Sequence, residues 1–86
     1  MLKVIEAEYL DGHKVRLRFN NGEGGVVDLQ EALWGPVFEP LRQPEVFKKF
    51  QVSDVFHTLT WENGADFAPE FLYRKMLEQT AALGRS

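Results

Sequence analysis

The chain has 86 residues, 44% hydrophobic and 27% charged, with a net charge of −3, seven glycines, four prolines and no cysteine. A chain this long buries about 60 to 65% of the surface its unfolded form exposes, enough for one small core, so residues 1–86 are expected to form a single domain. Seven Phe, two Trp and two Tyr exclude a disordered tail, and the acidic excess argues against a general nucleic-acid binder, whose affinity rests on positive charge at the phosphates.

Lack of cysteine removes disulfides, zinc ribbons and thiol nucleophiles, and a small fold without staples suits a reducing compartment, so a cytoplasmic location is expected. The start, Met1 to Glu6, carries an acid at its sixth position with no long apolar run behind it, and predicts neither a signal peptide nor a membrane helix.

Residues 2–9 and 13–19 read as strands. The second alternates Val15, Leu17 and Phe19 on one face with Lys14, Arg16 and Arg18 on the other. A two-residue turn at Asp11-Gly12 would set Glu6 and Glu8 against Leu17 and Val15, so a three-residue loop, Leu10-Asp11-Gly12, with Gly12 left-handed is predicted. In that register Ala7 faces Val15, Ile5 faces Leu17, Glu6 faces Arg16 and Glu8 faces Lys14, which largely neutralises the basic stripe. Asn21-Gly22 predicts a type I′ turn into Val26-Val27, with Gly24 and Gly25 marking a bulge or a loosely paired start. Asp28 followed by Glu31 predicts a reciprocal cap for a helix over 29–33, stopped after about two turns by Gly35-Pro36.

Residues 36–44 hold three prolines beside Val37, Phe38 and Leu41 and read as a packed connection. Pro44-Glu45 opens a short helix with Val46, Phe47 and Phe50 inward and Lys48 and Lys49 outward. Val52 to Trp61 reads as strand, with His57, Leu59 and Trp61 on one face and Phe56, Thr58 and Thr60 on the other, turned back at Asn63-Gly64. The longest helix starts at Pro69-Glu70, covers the sheet with Leu72, Tyr73, Met76 and Leu77, carries Leu83 in its last turn, and ends at Gly84. Glu70, Arg74 and Glu78 are spaced for ion pairs four residues apart. The predicted class is α+β: an N-terminal antiparallel β-meander, short middle helices, a second β-hairpin and a C-terminal helix packed on the sheet. The run from Phe19-Asn20-Asn21-Gly22 to Asp28 is echoed by Trp61-Glu62-Asn63-Gly64 to Asp66, which reads as one local folding solution used twice.

No residue set points to catalysis, a cofactor or a metal. The serines are Ser53 and Ser86 and the histidines His13 and His57, with no nucleophile elbow, so Ser53 reads as a turn residue, His57 as a structural histidine and His13 as a loop-edge residue. Asp66 and Glu70 are formally able to do acid-base work or hold a cation, but Asp66, Pro69 and Glu70 are also what a helix start requires. Gly22-Glu23-Gly24-Gly25 lacks the spacing of a phosphate loop and carries an acid that would repel an anion. Trp34, beside Gly35-Pro36, and Trp61, beside Asn63-Gly64, either close the two ends of the core or, where solvent-facing, serve as interface anchors.

The run Leu59-Thr60-Trp61-Glu62-Asn63-Gly64-Ala65-Asp66-Phe67-Ala68-Pro69-Glu70-Phe71-Leu72-Tyr73 is the most distinctive stretch. Upstream, in order, stand Phe19 and Gly22, Val27-Asp28-Leu29, Val37-Phe38-Glu39-Pro40-Leu41 and Phe47. On these words nearly the whole chain resembles the bacterial family catalogued as domain of unknown function 2442. The resemblance implies an α+β fold of small sheets with a C-terminal helix, and no established activity. It also implies likeness to small stand-alone bacterial proteins, some encoded beside another small protein and some carrying an added helix-turn-helix domain. The chain ends at Ser86 without such a domain, so DNA binding is not expected to transfer from the longer relatives.

The expected function is therefore non-enzymatic: an accessory or regulatory module that binds another protein, the product of a neighbouring gene in an antitoxin-like pair, or a second copy of itself. Its candidate interaction residues are Trp34, Trp61, Asp66 and Glu70. The alternative is a nucleic-acid-associated regulator that uses Lys14, Arg16 and Arg18, and a third class is a small enzyme built on Asp66 and Glu70, which would need one pocket holding both.

Overall fold

The computed structural model describes residues 1–84, with side chains through Ala81. A three-stranded antiparallel meander, β1 (Val4–Asp11), β2 (Lys14–Phe19) and β3 (Gly24–Asp28), is followed by 3-10 turns at Gln30–Ala32 and Glu39–Arg42 and a short helix α1 (Pro44–Phe47). A two-stranded hairpin, β4 (Gln51–Val52) and β5 (Leu59–Thr60), leads to the long helix α2 (Pro69–Gly84). The architecture is α+β. No helix among the described residues is long and apolar enough to cross a membrane.

β2 lies at the centre of the meander, and its alternation decides the two faces of the sheet: Val15, Leu17 and Phe19 are buried, and Lys14, Arg16 and Arg18 are exposed. The register differs from the predicted one by two residues. Tyr9 faces Val15, Ala7 faces Leu17, Glu8 faces Arg16 and Glu6 faces Arg18. The turn is the two-residue Gly12-His13, with Gly12 at φ 52°, and an irregularity at Leu10 sets Asp11 opposite Lys14. From Glu6 to Tyr9 the shift by two keeps each side chain on its predicted face, and it brings Tyr9, rather than Ala7, over Val15, with the ring 6.3 Å from that of Phe47. Before Glu6 a second irregularity sets Val4 opposite Phe19 and buries it, so Ile5, expected over Leu17, is left exposed.

The three-residue loop occurs in the next hairpin instead. Phe19 N donates to Glu23 O at 2.8 Å, Gly22 N donates to Phe19 O at 3.2 Å, and Gly22 alone of the loop has positive φ, at 87°. That is a type I turn closed by a left-handed glycine; the predicted type I′ turn would need positive φ at Asn21 as well. Gly24 and Gly25 form no bulge. They pair regularly with Arg18 and Leu17, and they are small because a Cβ would lie 2.7 Å from Leu17 O at Gly24 and 3.2 Å from Met76 Sδ at Gly25.

Asp28 Oδ1 accepts Gln30 N at 3.0 Å, but the expected two-turn helix shrinks to one 3-10 turn between the buried Leu29 and Leu33, without a return bond from Glu31. Leu41 and Phe47 are fully buried, whereas Val46 faces outward and Phe50 is half-buried, because α1 is only one turn long.

The stretch 52–61 is not one strand. Gln51 pairs with Thr60 and Val52 with Leu59, so the second hairpin closes within this stretch, and Asn63-Gly64 adds only a single bridge from Thr60 to Asp66. The Ser53 hydroxyl makes the turn, accepting Val55 N at 3.1 Å and Phe56 N at 3.0 Å. His57 leaves the turn at φ 56° and so does not share a strand face with Leu59 and Trp61.

α2 buries Leu72 and Met76, half-buries Tyr73 and leaves Leu77 exposed, since Leu77 lies about 100° round the helix from Met76. The Leu83 side chain and the chain after Gly84 lie outside the described residues. Among the described residues the ion pairs are Arg16 with Glu8 and Arg18 with Glu6, and the predicted Glu70, Arg74 and Glu78 pairs do not form. What ties α2 to the sheet is the Gln79 amide, which accepts Asp28 N at 2.8 Å and donates to Asp28 O at 2.9 Å, filling the place of a neighbouring strand.

The Tyr73 hydroxyl donates to the Glu23 carboxylate while its ring packs edge-on at 5.3 Å from Phe19. That hydrogen bond, then burial and the charge of Glu23, hold the phenol above its ordinary value, with Asn21 partly offsetting them. The folded state thus keeps this proton when the unfolded chain has lost it. Stability present below about pH 10 is expected to fall as pH rises through the folded value, and Tyr73→Phe should flatten that decline in urea titrations.

Candidate interaction surface

Two surfaces gather the residues singled out in the sequence. The first is the solvent face of the meander. Arg16 Nη1 lies 2.8 Å from Glu8 Oε1 and Arg18 Nη2 2.6 Å from Glu6 Oε1, while Lys14 stands opposite Asp11 on one side and Asp28 on the other. Each arginine thus has its own carboxylate, and the pairs are solvent-exposed, so each contributes at most about 1 kcal/mol. The shallow hollow over this face has Gly24 and Gly25 along one side and is lined by those same pairs.

The second surface is a groove of about 410 Å³ where the loop after β3 meets the start of α2. Its floor is aromatic. Phe38 stacks on Phe67 at 4.9 Å and 22°, and Phe67 stacks on Phe71 at 5.4 Å and 9°. Phe67 also meets Trp61 edge-on at 5.8 Å, so the floor continues into the core. Trp34 stands at the rim with 72% of its surface exposed. The loop carrying Trp34 and Phe38 is held from three sides: Phe38 N donates to Gly35 O at 3.1 Å, Arg42 Nε to Leu33 O at 2.6 Å, and Asn63 Nδ2 to Val37 O at 2.9 Å. Glu31, Asp66 and Lys75 supply the charged lining, with Lys75 Nζ 5.9 Å from the centre of the Phe71 ring.

Of the four candidate interaction residues, Trp34 and Asp66 come together in this groove. Trp61 does not. It is 7% exposed, and its indole Nε1 donates to Phe47 O at 2.8 Å, which makes it a core residue and not a surface anchor. Glu70 is exposed on the first turn of α2 and is not among the residues that line the groove with Asp66. Among the described residues Asp66 is met through its backbone, in a single bridge to Thr60, and its side chain is exposed. His13 is more than a loop-edge residue, since its ring packs on Phe47 at 4.9 Å with Nε2 3.0 Å from Leu41 O. Among the described residues no group of three or more histidines or acids is placed to hold a metal ion.

Sequence reasoning missed Phe38, Phe67 and Phe71 as groove residues and Val55 and Phe56 as exposed apolar residues at the turn tip. One signal was present: Phe71 and Lys75 are four apart and one position round from Leu72 and Met76, hence off the sheet-facing stripe of α2.

A solved structure with the same fold comes from Nitrosomonas europaea, a protein whose DNA-binding designation is provisional. The TM-score is 0.81 at 23% identity over 94% of this chain. This chain spans about half of that protein, 52% of its length. No curated protein matches the chain. The sequence profile of the protein family of unknown function DUF2442 matches residues 4–78, a span that includes the run from Leu59 to Tyr73, and the chain belongs to that family.

Proposed function

We propose that the protein is a non-enzymatic interaction module, an accessory or regulatory component that binds a partner protein through the groove around Trp34 and Asp66. The observation that carries this reading is the exposure of Trp34 at the rim of a stacked-phenylalanine floor. An indole left in water beside an apolar hollow is the composition of a binding hot spot, where one aromatic anchor supplies much of the affinity. A partner encoded by a neighbouring gene suits so small a module.

The test is recovery of the tagged protein from its source cell at near-physiological salt, as wild type, as Trp34→Ala and as the double variant Arg16→Ala/Arg18→Ala, each with and without nuclease. One stoichiometric protein, insensitive to nuclease, lost with Trp34→Ala and kept with the arginine variant, is the expected result.

The second reading is a nucleic-acid-associated regulator using Lys14, Arg16 and Arg18. Its support is the designation of the Nitrosomonas europaea protein, of which this chain matches about half, and the exposure of both guanidiniums. The pairing of both arginines with Glu6 and Glu8 counts against it. Nuclease-sensitive recovery that disappears with the arginine variant, and oligonucleotide binding that falls steeply with salt, would put this reading first.

A further inference from the structure

The groove carries charges that its own fold does not satisfy. Asp66 and Glu31 both line it, and neither forms an ion pair among the described residues. Lys75, the cation that shares the lining, lies against the Phe71 ring and not within 4 Å of either carboxylate. Two carboxylates against one ammonium leave the groove negative, and the face of an exposed indole attracts a cation to the same place. Charge and aromatic surface thus call for one chemistry, a cation with a flat apolar face.

Resting on the interaction reading above, we infer that the groove takes an extended segment of the partner that presents an arginine. Its guanidinium lies on the Trp34 indole and is paired with Asp66, and apolar neighbours in the same segment meet Phe38 and Phe71. Arginine fits better than lysine because its planar fork stacks on an aromatic ring while offering parallel donors to a carboxylate. A peptide fits better than a small free cation because most of the floor is phenylalanine and needs apolar cover that a lone guanidinium cannot supply.

The test uses the full chain, ¹⁵N-labelled, and three probes: acetyl-glycyl-leucyl-arginyl-leucyl-glycinamide and the same peptide with citrulline or lysine at its centre. Trp34 and Trp61 give two indole signals, one exposed and one bonded to Phe47 O, so the groove and the core are read separately. The arginine peptide is expected to move the Trp34 indole and the amides of Asp66 and Phe71 and to leave Trp61 in place. The citrulline peptide should bind about fivefold more weakly or worse, the combined loss of one exposed cation–π contact and one exposed ion pair, and the arginine peptide should bind Asp66→Asn about two- to threefold more weakly, the loss of the ion pair alone. The lysine peptide should fall between, and added salt should weaken the arginine peptide most.

Equal binding of the arginine and citrulline peptides overturns the inference, as does an affinity untouched by Asp66→Asn, or no movement of Trp34 at millimolar peptide. Those results leave the interaction reading standing if Trp34→Ala still loses the partner in the cell. Retention of the partner by Trp34→Ala removes the interaction reading itself.

Discussion

Phe47→Ala is expected to lower the stability of the protein by about 3 to 5 kcal/mol. The ring is fully buried and is the meeting point of the aromatic core, with centroids 4.9 Å from His13, 5.6 Å from Trp61, 6.2 Å from Phe50 and 6.3 Å from Tyr9. Removing it takes apolar area out of the core and leaves a cavity that four surrounding rings cannot collapse into, at about 3 to 5 kcal/mol. At roughly 0.05 to 0.15 kcal/mol per residue, 86 residues have a total stability of only about 4 to 13 kcal/mol, so one substitution removes a large share of it. Urea unfolding followed by far-UV circular dichroism measures the loss. Phe47→Leu, which keeps most of the volume, should cost about 1.5 kcal/mol or less. A loss below about 1 kcal/mol for Phe47→Ala would mean that α1 and β4 fold around another centre.

The physical order of the interactions explains which parts of this fold could be read from the chain. β2 was legible because burial on one face acts on single residues: Val15, Leu17 and Phe19 must point in whatever pairs with them. The register was not, because a shift by two residues preserves the faces from Glu6 to Tyr9. The choice between Ala7 and Tyr9 over Val15 depends on Phe47, some forty residues away. The stretch 52–61 misled for a related reason. Its alternation is real, but the Ser53 hydroxyl offers the backbone a tight turn, so the chain pairs back on itself before Asn63-Gly64 and not after it. Gly24 and Gly25 look like a bulge in sequence, whereas their cause is the approach of Leu17 O and Met76, visible only once β2 and α2 are in place. For the candidate site, Trp34 and Asp66 stood out by their local context. The phenylalanines that make the groove come from the loop after β3, the segment before α2 and the off-sheet side of α2, and only tertiary packing unites them.

Trp61→Ala and Trp34→Ala are expected to have opposite consequences, although both tryptophans stand next to turn signals in the sequence. Trp61 fills the space between Phe47, Phe50 and Phe67, and its indole is the hydrogen-bond donor to Phe47 O. Truncation costs about 3 to 5 kcal/mol for the lost ring. It also leaves a carbonyl without that partner, at about 1 to 3 kcal/mol unless water reaches it, so the variant should lose about 4 to 8 kcal/mol of stability in all. Trp61→Phe separates the two terms, since it keeps a ring and loses only the donor and part of the volume. Trp34→Ala removes a side chain that is mostly in water and should move the urea midpoint by less than about 0.5 kcal/mol in stability. Fluorescence gives an independent reading: emission from Trp34 should be solvent-like and readily quenched by acrylamide, and emission from Trp61 blue-shifted and protected. A large destabilisation by Trp34→Ala would mean that the indole holds the groove together as part of the fold, and the reason for reading that groove as a binding surface would be gone. A neutral Trp34→Ala leaves an exposed indole that folding does not require, which is the condition under which loss of a partner by the same variant reports on binding alone.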